Sequence, residues 1–553
     1  MTHEDAKGTP DAKGLGTFAG VFTPSILTIL GIILFLRLGF VVGNAGLGRV
    51  LVVILLANLI SVLTSLSLAA IATNFKVRGG GDYYLISRTL GPEFGGAIGI
   101  VLFLAQSVSV AFYAIGFAEG LTALVDGLSP RMVAGAALLP LFALAFMGSN
   151  WATRFQYGIM LTLTLALGVF FVGAVQVFDP AVLAANWSPS GDLSFWTIFA
   201  LFFPAVTGFT QGVSMSGELR DPARSLSSGT FAAVGLSIVI YVASAVLLAG
   251  ALPGAELIAS YDAMNQVALV PGLITAGLFA ATLSSALASF LGAPRILQAL
   301  ASDRLFRFLK PFAKGDDATG NPRRAVLLSF AISAGTVAAG DLNVVAPVVS
   351  MFFLISYGLL NYATYYEASA SSPSFRPRFR WYRPRASLLG CLVCGGTMLA
   401  IDPVAGVIAV AVLFAIHQYL ARTGSPDRWA DGSRSALFQR VRTSLLAMGA
   451  ITEHDRDWRP VVLAFSDDAA RRGRLLRFAS WIEGGSGLTT AVRAVQGQGV
   501  LVRAESAKAE EELAAEVGEQ KLEAFVRVVS APDLEVAFPV LLQAFGLGPI
   551  RPN

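Results

Sequence analysis

The alternation of apolar and polar positions divides the chain into two regimes. From about residue 20 to residue 421 it is a succession of long apolar runs separated by short polar segments. A helix needs roughly 20 apolar residues to cross a bilayer, and about twelve runs meet that length. They lie near 20–45, 48–73, 95–124, 130–148, 154–177, 193–216, 226–251, 270–299, 322–340, 343–367, 385–402 and 403–421. Beyond Ala421 the apolar runs shorten. PVVLAFS (460–466), LTTAVRAV (488–495) and EAFVRVVS (523–530) read as strands, and 468–482, 505–520 and 532–545 read as helices. Strands alternating with helices predict a small α/β domain with a parallel sheet. The expected organisation is therefore a short polar segment over 1–18, a transmembrane domain over 19–421 and an α/β domain over 422–553.

Composition agrees with the membrane reading. Of 553 residues, 55% are hydrophobic and 14% charged, where soluble domains carry about 25% charged residues. The net charge of +4 is too small for a nucleic-acid surface, and no nucleic-acid partner is expected. The basic residues alternate from one set of connecting segments to the other. One set holds Lys76, Arg78 and Arg88, then Arg154, then Arg220 and Arg224, then Arg304, Arg307, Lys310, Lys314, Arg323 and Arg324, and last Arg376, Arg378, Arg380, Arg383 and Arg385. The opposite set offers little beyond Arg49 and Arg131. Positive loops face the cytoplasm, so a multi-pass protein with both termini cytoplasmic is expected. The polar N-terminus lacks the basic-then-apolar order of a cleaved signal. Cys391 and Cys394 sit in one apolar span without further ligands and read as packed small residues. GGSG (484–487) has no lysine after it and reads as a turn. His3, His417 and His454 are scattered, with no nucleophile–base pairing among them, so an enzyme is not expected.

Two spans stand apart because each carries an interior proline with a glycine a few residues on. The first has Pro24 and Gly31, and the sixth (SFWTIFALFFPAVTGFTQGVSMSGEL) has Pro204 and Gly208. Five spans separate them, the spacing of a five-plus-five inverted repeat that opens each half on a discontinuous helix. Proline removes a backbone donor and glycine relaxes the helix. Such a break frees carbonyls, which suit cations, and amides, which suit anions. Backbone of that kind is tolerated at bilayer depth only where it is buried in protein or lines a cavity. Two kinked structural helices are the alternative. In the eighth span, ATLSSALAS (281–289) sets Ser284 beside Ser285, a source of further oxygens for a hard cation. Arg37 lies six residues beyond Gly31, and Glu119 lies six residues beyond Tyr113 in the third span. At 1.5 Å per residue Arg37 sits about 9 Å outward of Gly31; if Tyr113 borders the site, Glu119 lies at the same depth, which predicts an ion pair closing an outer vestibule. A static structural pair is the competing reading.

The motifs at these positions resemble those of the cation–chloride cotransporters, within the amino acid–polyamine–organocation superfamily and its LeuT-type fold. The resemblance runs over nearly the whole chain. It includes GIILFLRLGFVVGNAGLG (31–48), IATNFKVRGGGDYYLISRTLGPEFGGAIG (71–99), FFPAVTGFTQGVSMSGELRDP (202–222), ATLSSALASFLGAPRILQAL (281–300), LNVVAPVVSMFFLISYGLLNYATY (342–365) and LLQAFGLGPIRPN (541–553). Within that family the sodium–potassium–chloride branch corresponds best, and the chain looks like a short, prokaryotic-type member.

The resemblance implies sites residue by residue. Sodium would meet the carbonyls of Leu27, Leu30 and Ala281 and the hydroxyls of Ser284 and Ser285. Potassium would meet Tyr113, Thr207 and the carbonyls of Thr28, Ile29 and Pro204. One chloride would meet the amides of Gly31, Ile32 and Ile33. The other would meet those of Gly208, Phe209 and Thr210 with the Tyr357 hydroxyl. Arg37 and Glu119 match the family's extracellular gate. Two positions depart from the branch: Thr28 stands for an asparagine and Leu30 for a tryptophan.

What the resemblance implies is electroneutral symport of Na+, K+ and Cl− by alternating access across the plasma membrane, with no cofactor, no transition metal and the lipid bilayer as surroundings. It also implies a homodimer that the C-terminal domain helps to hold. Na+–Cl− or K+–Cl− cotransport and amino-acid transport on the same fold are the alternatives, together with an ion sensor that signals through its tail. Bulky Leu30, Ile32 and Ile33 at the first break argue against an amino-acid carboxylate approaching the backbone there.

Overall fold

A computed structural model of the full chain describes residues 15–553 apart from 75–80, 148–151, 215–218, 317–319, 371–374, 376, 378, 424–431, 453, 455–457, 467 and 498–499. The expected basic residues Lys76, Arg78, Arg376 and Arg378, the N-terminal residues 1–14 and Gly79–Gly80 of the glycine triplet lie outside the described residues. The chain divides into two compact units, Met1–Ala436 and Leu437–Asn553.

The first unit is a bundle of helices long and apolar enough to cross a membrane, eleven of them among the described residues. They are Phe18–Leu36, Leu38–Thr73, Phe94–Thr122, Pro130–Met147, Gln156–Gln176, Phe195–Val213, Pro222–Ala251, Pro271–Ser302, Leu342–Ser369, Pro384–Ile401 and Pro403–Leu420. The run expected near 322–340 is helix Arg323–Ala339, with 17 residues. It falls just short of the other spans in length, and its first turn holds Arg323 and Arg324. The run Leu38–Thr73 is two helices that meet at Gly46, where φ is +70° and ψ 153°. The amides of Leu47 and Gly48 there bond the carbonyls of Asn186 and Trp187 (2.8 and 3.2 Å). A Cβ at Gly46 would lie 2.4 Å from the Ser188 carbonyl carbon, so both dihedral and space require glycine. The central spans bury most of their surface, whereas Pro403–Leu420 buries 11% of its apolar window. A helix apolar all round and little covered by protein is what lipid contact requires.

The third and eighth spans pack antiparallel, and their glycines fix the register. A Cβ at Gly120 would meet Leu278, and one at Gly99 would meet Tyr83 and Leu300. Tyr113 therefore stands at the level of residues 285–286 in the eighth span.

In the second unit, strands β1 (Val461–Phe465), β2 (Leu488–Gln496) and β3 (Phe525–Ala531) pair in parallel in the order β1-β2-β3. Helices Ala469–Glu483 and Val500–Glu519 connect them, and Leu534–Ala544 follows. Ala464, Leu476, Ala479, Ala491, Leu513 and Val517 form its core. The GGSG stretch is a turn: Gly484 and Gly485 have φ of +61° and +70°, and the Gly487 amide donates to Glu483 Oε1 at 2.8 Å.

Candidate functional site: two interrupted helices and an outer seal

The first span is broken where the sequence indicates. Helix Thr23–Ile29 stops at Leu30 (φ −83°, ψ 51°), Gly31 is extended (φ −107°, ψ −142°), and the helix resumes at Ile32–Leu36. Among the described residues, the carbonyls of Leu27, Thr28 and Leu30 accept no backbone hydrogen bond, and the amides of Gly31, Ile32 and Ile33 donate none. All of these residues are buried. Unpaired backbone groups inside a protein are uncommon and costly, and here acceptors and donors collect on either side of one residue pair. A Cβ at Gly31 would come within 3.0 Å of the Thr28 carbonyl oxygen, which keeps that oxygen uncovered only while position 31 is glycine. The Ile29 carbonyl differs, since it accepts from the Tyr241 hydroxyl at 2.8 Å. The Thr28 hydroxyl is also engaged, donating to Pro24 O at 2.9 Å.

The sixth span departs from the expectation of a second open break. Phe203–Thr210 is a 3₁₀ helix between the α-helices Phe195–Phe202 and Gln211–Ser214. Pro204 can open the α-ladder without unwinding the chain, because i→i+3 bonding re-pairs the freed groups in a tighter coil. The amides of Gly208, Phe209 and Thr210 therefore lie within a hydrogen-bonded coil rather than free as expected. The Thr207 hydroxyl donates to Pro204 O (2.9 Å), and the Tyr357 hydroxyl donates to Thr207 O (2.8 Å). Ser25 and Ser61 donate to the carbonyls of Phe209 (3.2 Å) and Val206 (3.0 Å).

The two interrupted segments cross in contact. A Cβ at Gly208 would lie 2.7 Å from Thr28 Cβ and 2.8 Å from the Ile29 amide nitrogen. Helix Thr23–Ile29 also packs on the eighth span. There Ser285 is buried and its hydroxyl has no hydrogen-bond partner among the described residues, while Ser284 is half-buried. Serine in a membrane helix ordinarily bonds back to its own ladder, whereas among the described residues the Ser285 hydroxyl, like that of Ser289 one turn on, has no partner. Ala281, one turn before it, lies inside the continuous helix Pro271–Ser302. Tyr113 is buried.

Six residues beyond Gly31, Arg37 forms the expected pair with Glu119. Arg37 Nη2 donates to both Glu119 carboxylate oxygens, at 3.0 and 2.8 Å. Arg37 is 1% exposed. Its Nε donates to Asn343 Oδ1 (2.9 Å), its Nη1 to Leu36 O (3.3 Å), and the Tyr261 ring lies 3.6 Å from its Cζ. The Asn343 amide donates in turn to the Tyr261 hydroxyl at 2.9 Å. The side chains bracket the guanidinium from the first, third and tenth spans and from the connection before the eighth.

The amino acid permease family profile matches residues 20–464. The chain belongs to that family. It is 33% identical to solute carrier family 12 member 2 of Squalus acanthias over 99% of this chain and 51% of the relative. It is 32% identical to solute carrier family 12 member 2 of Homo sapiens, over 99% of this chain and 50% of the relative. It is also 32% identical to member 1 of Mus musculus, over 97% and 55%. The chain thus spans about half the length of these curated relatives. The kinship with cation–chloride cotransporters read from the motifs accords with these matches.

The structure brings together most of the residues singled out in the sequence around the two segments, and it adds three that sequence reasoning missed. Tyr241 and Tyr261 have no motif around them, one on a uniformly apolar helix and the other in a connection. Asn343 had a local signal, since it follows Asp341, whose carboxylate caps the tenth span by accepting from the Asn343 and Val344 amides (3.0 and 3.2 Å).

Proposed function

We propose that this permease-family protein is a secondary symporter coupling Na+, K+ and Cl− by alternating access. The observation that carries the reading is the break at Leu30–Gly31. Unpaired carbonyls precede it and unpaired amides follow it, so cations and an anion have complementary backbone within one turn. Chloride beside a filled cation site costs far less at low dielectric than chloride alone, which is the physical source of coupling.

In this reading the carbonyls of Leu27, Leu30 and Ala281 with Ser284 and Ser285 take sodium. Tyr113, Thr28, Ile29, Pro204 and Thr207 take potassium. The amides of Gly31, Ile32 and Ile33 take one chloride, and Gly208, Phe209, Thr210 and Tyr357 take the second once the 3₁₀ segment loosens. Arg37 and Glu119 close the outer face. The LeuT-type five-plus-five repeat, the plasma-membrane location with both termini cytoplasmic, the cytoplasmic regulatory role of the C-terminal unit and a homodimer belong to the same reading. Rubidium uptake into proteoliposomes, with sodium and chloride withdrawn in turn, tests it. Uptake independent of both would overturn it.

Amino-acid transport, the activity in the family's own description, is the second reading. Against it, Ile32 fills the space over Gly116 so closely that a Cβ there would collide with its side chain. A competition panel of amino acids against rubidium uptake separates the two.

A further inference from the structure

Inward of the two segments lies a pair of carboxamides that no site above uses. Gln106 is in the third span, seven positions before Tyr113 and so about 10 Å inward by helical rise. Gln211 begins the short helix that follows the 3₁₀ segment. Both are buried, at 1% and 6% exposure. Gln211 Nε2 donates to Gln106 Oε1 at 3.2 Å, and Gln106 Nε2 has no partner among the described residues.

A carboxamide has two N–H donors and one carbonyl oxygen. One bond between two carboxamides uses one N–H and one oxygen, whichever donates. Each carbonyl oxygen has two lone pairs, so acceptor sites remain beside three N–H groups, but the atom of the pair left buried without a partner among the described residues is a donor, Gln106 Nε2. A buried donor without an acceptor is costly, and an anion lodged beside it would supply that acceptor. Neither segment carries a charged residue within four positions of its glutamine, so no carboxylate on them opposes a negative ligand.

The position adds to this. Helix Gln211–Ser214 packs against the third span, helix Thr23–Ile29 and the eighth span. These four elements converge on the inward side of the interrupted segments. Further inward the chain is closed: Leu15 and Leu219 form a β-bridge, and the Arg220 amide donates to Leu15 O at 3.0 Å. The pair thus stands between the proposed ion sites and the inner closure. Meanwhile the Tyr357 hydroxyl donates to Thr207 O, and the amides of Gly208–Thr210 lie in the 3₁₀ coil, so the sixth span offers no spare backbone donor there.

We propose that Gln106 and Gln211 form a halide station on the inward path, at which chloride pauses between the proposed ion sites and the Leu15–Leu219 face. With neutral donors alone the station binds weakly, which a stepping site requires if the ion is to leave. The inference rests on chloride being a substrate, and its test separates the two claims.

The full chain is reconstituted, and the half-saturating chloride concentration for rubidium flux is measured separately from each face. Gln106→Leu is compared with Gln106→Glu, and Gln211→Leu serves as the second variant should Gln106→Leu fail to fold. Losing a hydrogen bond to a charged ligand predicts an increase of about tenfold on the Leu15–Leu219 face for Gln106→Leu, more for Gln106→Glu, and no change on the opposite face. Equal changes on both faces, no change, or a gain in rubidium affinity in Gln106→Glu would overturn the station. A wild-type flux indifferent to chloride would refute the proposed function instead. In that event bromide titration of the melting temperature decides the station alone: stabilisation present in wild type and lost in Gln106→Leu supports it, and any other pattern removes it.

Discussion

Replacing Glu119 by Gln removes the charge that faces Arg37 while keeping the shape of the side chain. Breaking a fully buried ion pair costs about 3–5 kcal/mol, because the remaining charge is left uncompensated. Two features reduce that figure. The Glu119 side chain is 20% exposed, so solvent already screens part of the interaction. Arg37 also keeps Asn343 at 2.9 Å and the Tyr261 ring at 3.6 Å, contacts of about 1 kcal/mol each. Roughly 2 kcal/mol of preferential loss from the outwardly sealed state remains, which is about 30-fold in its population relative to an outwardly open one. The assay is the modification rate of a cysteine placed at Ile33, one helical turn inward of Arg37, by a membrane-impermeant thiol reagent. Cys391 and Cys394 are replaced by alanine in the background. The Glu119→Gln protein should react about 30-fold faster from outside and turn over more slowly. An unchanged modification rate with unchanged flux would show that the pair is a static strut and that the gate reasoning is wrong.

Three further substitutions probe the ion segments. Gly208→Ala forces a methyl to within 2.7 Å of Thr28 and 2.8 Å of the Ile29 amide. Overpacking of this kind costs about 1–3 kcal/mol, and flux should fall sharply in protein that is still monodisperse by size-exclusion chromatography; normal flux would mean that the crossing point is not part of the transport site. Ser285→Ala removes a buried hydroxyl with no protein partner, so the melting temperature in sodium-free buffer should hardly change while half-saturating sodium rises about tenfold. A loss of stability without a sodium effect would make the hydroxyl structural. Tyr241→Phe withdraws the donor from the Ile29 carbonyl (2.8 Å), a change of about 1 kcal/mol. It should shift rubidium half-saturation roughly fivefold and leave that of sodium unaltered, whereas equal shifts in both would place Tyr241 in general packing.

The membrane helices were legible because their signal is length and apolarity, which local sequence carries in full. The strands lay where short β-rich runs stood between turns, and β1 at Val461–Phe465 falls inside PVVLAFS. The first break was legible for a different reason: Pro24 and Gly31 act on their own backbone, and the consequence stays within a turn. The sixth span shows the limit of that inference. Proline and glycine report that an α-ladder is interrupted, but whether the chain unwinds or tightens depends on neighbours such as Ser25, Ser61 and Tyr357, which bond the segment from 145 to 184 residues away in the sequence.

 The seal was half legible. Arg37 and Glu119 are conspicuous charges in apolar runs, while Tyr261 and Asn343 join them only through tertiary structure, and an aromatic residue in a connection gives no sign of the cation it covers.

The central claim is that one transport cycle needs all three ions at once, and it is tested most directly by tracer sodium uptake into proteoliposomes at two clamped membrane potentials. Initial rates are compared with rubidium and chloride both present and with each replaced in turn. The account predicts that removing either ion abolishes sodium uptake and that the potential has no effect on the coupled rate. Sodium uptake that persists without rubidium or without chloride, or that follows the membrane potential, would contradict it.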